Sequence, residues 1–189
     1  MTHFKKWQRF VAATLGGLFL LASLAWAQGE FAIKNYRQIL SSLSVITGVS
    51  ANDADIRRTF DETMTRLPKF GRIDEVNSSM LLALTSLSGM FCRKMIEADV
   101  RKAADQRRAH RAVDFTLPPV NLTEDIRRSV IGEYAGLFWG RTVTDDEATL
   151  VLATMTEAEP QVGVTAASTQ QLLLVACTAM AASTDSFVY

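Results

Sequence analysis

SSMLLALTSLSGMFCRKMI, residues 78–96, decides the fold class. Wound as an α-helix, it turns Met80, Leu81, Leu82, Leu84, Leu87, Met90 and Phe91 to nearly every side of the cylinder. A helix apolar all round belongs in the centre of a bundle. A membrane span would need about 18 uninterrupted apolar residues. Ser78, Ser79, Thr85, Ser86, Ser88, Arg93 and Lys94 break this window too often for that. The expectation is a buried third helix from about Asp74 to Val100.

The segments on either side repeat the helical period. Tyr36, Ile39, Leu40, Leu43 and Ile46 form one stripe that ends at Gly48, and Ile56, Phe60, Met64 and Leu67 form a second that ends at Pro68. A fourth helix is expected after Thr123, with Glu124 and Asp125 where the helix dipole favours anions, closing at Gly140. Thr144 and Glu147 make a capping box for a fifth, expected to end before Pro160. Ser168 and Gln171 suggest the same device ahead of a sixth, from Leu172 to about Ser183. No period-2 run with hairpin punctuation appears, so the fold class is all-α, a compact bundle of about six helices. The exception is 101–121, where a charged stretch gives way to the extended Phe115-Thr116-Leu117-Pro118-Pro119.

The N-terminus reads as a secretory signal peptide over 1–27. Lys5, Lys6 and Arg9 precede an apolar run at 11–24, and Ala25-Trp26-Ala27 forms an A-x-A exit before Gln28. The run would span roughly 21 Å as a helix, short of a bilayer core of about 30 Å, so removal is expected rather than anchoring. That leaves 28–189 as a single helical domain, exported to the periplasm or cell surface.

Composition then excludes several chemistries. The leader carries three basic and no acidic residues out of a balance of 20 against 20, so the remainder is weakly negative, an unsuitable balance for a nucleic-acid binder. His110 is the only histidine outside the leader, and Cys92 and Cys177 are the only cysteines. No His-rich zinc site, C-x-x-C redox motif or haem attachment is expected, and neither a metal nor a cofactor. No nucleophile elbow, Walker loop or H-E-x-x-H pattern is present, so no catalytic residue is assigned.

Four groups of residues remain as candidates. Cys92 and Cys177 lie in the apolar centres of two helices of an exported chain, which points to an inter-helix disulfide; two buried free thiols are the alternative. Arg101, Lys102, Arg107, Arg108 and Arg111 cluster with His110 and form a candidate patch for an anionic partner. The preferred reading makes them a solvated helix end and loop, in which converting Arg107, Arg108 and Arg111 to Gln changes stability little. Asp145, Asp146 and Glu147 suggest paired carboxylates, but first-turn capping explains them. Trp139 and Arg141, at a turn, are the candidate mouth of an inter-helix pocket.

Four stretches also carry a likeness: LSVITGV from Leu43, the segment ending at Leu67-Pro68, residues 78–96, and TQQLLLVACTAMAASTDSFVY from Thr169. They resemble an uncharacterised helical module of exported proteobacterial proteins, often found beside laminin-G-like domains. This chain has no such β-sandwich and carries a basic 101–111 stretch in place of a more neutral connection. The resemblance implies export, a helical fold and pairing of Cys92 with Cys177, and supplies no active site. The expected role is a non-enzymatic interaction or assembly component of the bacterial envelope that binds another envelope or extracellular protein. A small-ligand or envelope-polymer binding protein with an inter-helix pocket is the alternative.

Overall fold

Capping residues and helical periodicity coincide at six places along the chain, and each becomes an α-helix. The computed structural model describes residues 33–69 and 77–187. Within them lie α1 (Tyr36–Thr47), α2 (Ala54–Thr63), α3 (Ser78–Val100), α4 (Glu124–Phe138), α5 (Asp145–Val162) and α6 (Ala166–Ala181), with four short 3₁₀ turns. No strand occurs among the described residues, where Ile33 makes only an isolated bridge. The domain is therefore an all-α bundle, as the hydrophobic period implies. The leader and the junction at Gln28 lie outside the described residues, and the third helix begins at Ser78, four residues later than expected, because Asn77 caps it in extended backbone.

The caps explain where the helices start. Asn35 accepts from the Arg37 and Gln38 amides while Gln38 reaches back to the Asn35 N–H, and Asp53, Asn77, Thr123 and Thr144 hold the first turns of α2 to α5. Gly48 closes α1 at φ 72°, a left-handed conformation in which a side chain would be strained.

Three further helix boundaries depart from the sequence expectation. After Thr63 the chain tightens into a 3₁₀ turn at Met64–Arg66, which leaves Met64 39% exposed instead of continuing the buried stripe. α5 runs through Pro160 to Val162. Proline is tolerated this close to the end because it removes a single helical bond, to the Thr156 carbonyl. α6 starts six residues before Leu172, capped by Thr165 and Ser168 in place of Ser168 and Gln171. The Thr165 amide donates to Ser168 Oγ (3.2 Å) and the Ser168 amide to Thr165 Oγ1 (3.3 Å).

The centre of the bundle is a pair of helices. α3 packs on α6, α2 and α1, while α6 packs on α3, α5 and α4. The buried face of α3 runs through Ala83, Leu84, Leu87, Ser88, Phe91, Cys92, Met95 and Ile96, and α6 answers with Leu172, Leu173, Ala176, Cys177 and Met180. α3 is not enclosed all round, because Leu81 and Leu82 are 43% and 63% exposed near its first turn. Among the described residues, no helix is long and apolar enough to cross a membrane.

Cys92 and Cys177 join these two central helices. They form a disulfide with a Cα–Cα separation of 5.9 Å, and both are fully buried. The bond closes a loop of 85 residues and, by chain entropy, restricts the unfolded state by about 4 to 5 kcal/mol. Intact mass should fall by two hydrogens relative to the reduced protein. The double change Cys92→Ala, Cys177→Ala should lower unfolding free energy in urea by about 3 to 4 kcal/mol.

Candidate functional site

Asp99 is an acid on an apolar stripe. It stands one turn beyond Met95 and Ile96 on the same face of α3, with no solvent exposure. An isolated buried carboxylate is strongly unfavourable, so hydrogen-bond donors must be brought to it. The 101–121 connection supplies them: Oδ1 accepts from the Arg108 amide (2.9 Å) and Oδ2 from the Ala109 amide (2.9 Å), and Lys102 Nζ stands 3.4 Å from Oδ1. His110 Nδ1 is 3.1 Å from Oδ2, and His110 Nε2 is 2.5 Å from the Tyr134 hydroxyl on α4.

These contacts choose a tautomer. Nδ1–H donates to the Asp99 carboxylate, and the Tyr134 hydroxyl, which bonds Nε2, also lies 3.4 Å from the Leu173 carbonyl, so each group in the chain is satisfied. Burial first, then the charges of Glu133 and Asp99, push the Tyr134 phenol well above its ordinary range and keep it a donor. Burial pushes the Asp99 carboxyl up. The His110 N–H and the Ala109 and Arg108 amides outweigh that and hold it below the usual carboxylate range.

His110 takes φ 65°, a strained value for a residue with a Cβ, and the surroundings hold it there. Its amide donates to Glu133 Oε2 (2.5 Å), and its carbonyl accepts from the Val113 amide (3.1 Å). Phe115 and Tyr134 meet the imidazole edge-on, with centroids 5.7 and 5.3 Å away. Asp99, His110 and Tyr134 each show 0% exposure, so they resemble a catalytic relay in composition and serve as a polar core in position. The basic, solvated setting expected for His110 is thus corrected. The available signal was Asp99 itself, a carboxylate in register with a buried stripe and in need of a donor.

The five cations of the expected patch fall into two groups. Arg107, half-buried, and Arg108, exposed, are both engaged with the backbone. Arg107 lies over the Phe115 ring (5.0 Å) and donates to the carbonyls of Val113 (2.6 Å), His110 (3.1 Å) and Lys102 (3.2 Å). Arg108 donates to the Ile46 (2.7 Å) and Val45 (3.2 Å) carbonyls, which the end of α1 leaves without helical donors. Both guanidiniums replace backbone donors that an irregular chain cannot supply. Arg101 and Arg111 are exposed and form no ion pair among the described residues, while Lys102 leans on Asp99.

Trp139 and Arg141 brace the corner where α4, α5 and the chain end meet. Trp139 Nε1 donates to Ser183 Oγ (2.8 Å) and the Met180 carbonyl (3.2 Å), and Arg141 stacks on its ring at 4.9 Å. Arg141 forms a bidentate pair with Glu147 (2.7 and 2.9 Å) and also bonds Asp185. The Arg141 guanidinium and the Thr144 amide hold the Glu147 carboxyl down to about 2. The side chains expected at a pocket mouth therefore have their polar groups engaged in tying α4 to α5 and the C-terminal turn.

An apolar concave surface lies at another corner. Thr169 Oγ1 donates to the Leu117 carbonyl (2.6 Å), and Arg127 donates to the Leu122 carbonyl (2.8 Å) and to Glu159 (2.7 Å), so the end of the connection is clasped against α4, α5 and α6. Pro118, Pro119 and Val120 then face Thr156, Pro160 and Val164 across a groove of about 410 Å³. Val120 is 78% exposed and Val164 86%. Nothing in the period of the sequence marks this site, because its two walls come from a 3₁₀ turn and a helix end far apart in the chain.

Two measurements check this account. The folded-state pKa of Asp99 lies below its unfolded value of about 3.9, so its stabilising contribution is complete above that pH and is lost as pH falls through the folded value. Wild-type stability should drop more steeply below about pH 4 than that of Asp99→Asn, which should itself be about 1.5 to 3 kcal/mol less stable at pH 7. The cations should separate in the opposite way to a uniform wet loop. Arg107→Gln should cost about 2 to 3 kcal/mol through its three carbonyl partners, and Arg111→Gln no more than about 0.5 kcal/mol, both read by urea unfolding.

No protein-family model, no curated protein and no solved structure matches this chain, so its function is read from its own residues.

Proposed function

We propose that the protein is a non-enzymatic, exported component of the bacterial envelope that joins another envelope or extracellular protein through its helical surface, in the periplasm or at the cell surface. The observation that carries this reading is the groove between the 118–120 turn and the end of α5. Two valines, 78% and 86% exposed, gather there with three prolines around one concave surface. Contiguous exposed apolar surface marks interaction sites, because leaving it in water is unfavourable.

Three further points support the reading. The residues with the most suggestive chemistry, Asp99, His110 and Tyr134, are buried and satisfied by one another. The ordered charged, apolar and A-x-A regions of the leader suit export, and a buried disulfide suits an oxidising compartment. The likeness to an exported helical module points the same way.

A photo-crosslinking residue placed at Val120 or Val164 should trap discrete protein adducts in native envelopes. The same residue at Val45, 73% exposed on α1 and outside the groove, should not. Adducts at none of the three positions, or equally at all of them, would overturn the assignment.

A further inference from the structure

We infer that this groove receives a basic side chain from the partner protein, with the methylene stem between the prolines and valines and the cationic head at Glu159 and the open end of α5. The inference rests on the interaction role proposed above and specifies the chemistry of what docks.

Charge points to a cation. From residue 142 to the end the chain has six acidic residues and no Lys, Arg or His. Two of these acids, Glu157 and Glu159, stand near the end of α5 beside the groove, whereas Asp145, Asp146 and Glu147 are in its first turn and Glu147 and Asp185 pair with Arg141. The last turn of α5 has no basic residue, although the helix dipole places negative potential there and favours a cation. Within α5 itself that compensation is missing, and the one cation brought to this end is Arg127 of α4, which pairs with Glu159.

Hydrogen bonding points to a donor. Pro160 has no N–H, so the Thr156 carbonyl on the groove wall lacks its helical donor. Gly163, at φ 90°, returns no cap hydrogen bond to α5, which leaves the carbonyls of the last turn open. Glu159 Oε2 accepts from Arg127, while Oε1 takes no hydrogen bond among the described residues. These groups all accept, so an incoming polar group must donate.

Arg127 does not fill this role. Its guanidinium is directed to the Leu122 carbonyl and Glu159, and its side chain is 12% exposed against 30% for Glu159, so the carboxylate stands nearer the solvent. The walls suit the stem. They are aliphatic, from Pro118, Pro119, Val120, Pro160 and Val164, and long basic side chains lay their methylenes on such surface while keeping the charge in water.

The test uses the protein recovered after expression of the full coding sequence and a fluorescein-labelled peptide of alternating leucine and lysine. Controls are the same peptide with every lysine acetylated and one with glutamate in place of lysine. Anisotropy should show binding of the lysine peptide alone, weakening as salt is raised. Binding should be lost in Val164→Lys, an exposed position where folding is not at stake, and weakened about fivefold in Glu159→Gln.

Equal binding of the acetylated peptide would overturn the cationic assignment, as would lysine-peptide binding unchanged by Val164→Lys. Salt-sensitive self-association of the protein, lost in Val164→Lys, would give the groove to a second copy and overturn it as well. None of these results removes the adducts expected at Val120 and Val164 in native envelopes, so the two readings fail separately.

Discussion

The carboxylate of Asp99 is the constraint around which the irregular 101–121 connection is arranged. Buried at the end of α3, it requires donors, and the chain meets that need with two consecutive amides and an imidazole from 108–110. Bringing those groups to one carboxylate forces His110 into the left-handed region and turns the backbone. Phe115 can then lie against the imidazole, and Thr169 can hold the Leu117 carbonyl. The position of Pro118-Pro119-Val120 beside α5 follows from this sequence of contacts. A core interaction more than one helix away thus sets one wall of the exposed groove.

The α3–α6 pair does the complementary work for the regular part. It combines a close apolar contact with a covalent link, and the bridge lies at the middle of the contact where both cysteines are dry. A disulfide in this position acts mainly on the unfolded chain, while Asp99 acts on the folded one through hydrogen bonds that depend on its charge. The two devices respond to different conditions. Reduction leaves the polar core untouched, and acid leaves the bridge untouched.

The helices were legible because their information is local. Gly48, Thr123 and the Thr144–Glu147 box each sit within a turn of the boundary they define, and the apolar stripes identify the buried faces. The pairing of Cys92 and Cys177 was legible from placement, since each lies at the centre of an apolar helix and two such helices are apt to meet in one core. Pro160 misled because a proline ends a helix only where the bonds beyond it are needed, and two residues from the end they are not. Ser168 and Gln171 fit a capping pattern, but Thr165 stands one turn earlier beside a glycine at positive φ and captures Ser168 first. The groove was invisible for a different reason: its walls are separated by about 40 residues, and neither has a period.

The arginines show how composition misleads when it is read as surface charge. A run of five cations in eleven residues looks like a patch, yet the connection that holds it has few regular backbone bonds, and guanidinium groups are well shaped to cap several carbonyls at once. Arg107 and Arg108 do this at five carbonyls between them, so the density of arginine there reflects the number of orphan acceptors. The end of α5 presents the inverse case. It has orphan carbonyls and acidic side chains as well, but residues 142–189 contain no arginine or lysine, and the one guanidinium brought there, Arg127 of α4, is taken by Glu159 and the Leu122 carbonyl. The chain satisfies its carbonyls where they are internal to the fold and leaves them open at one exposed corner. That asymmetry gives the corner its chemical character.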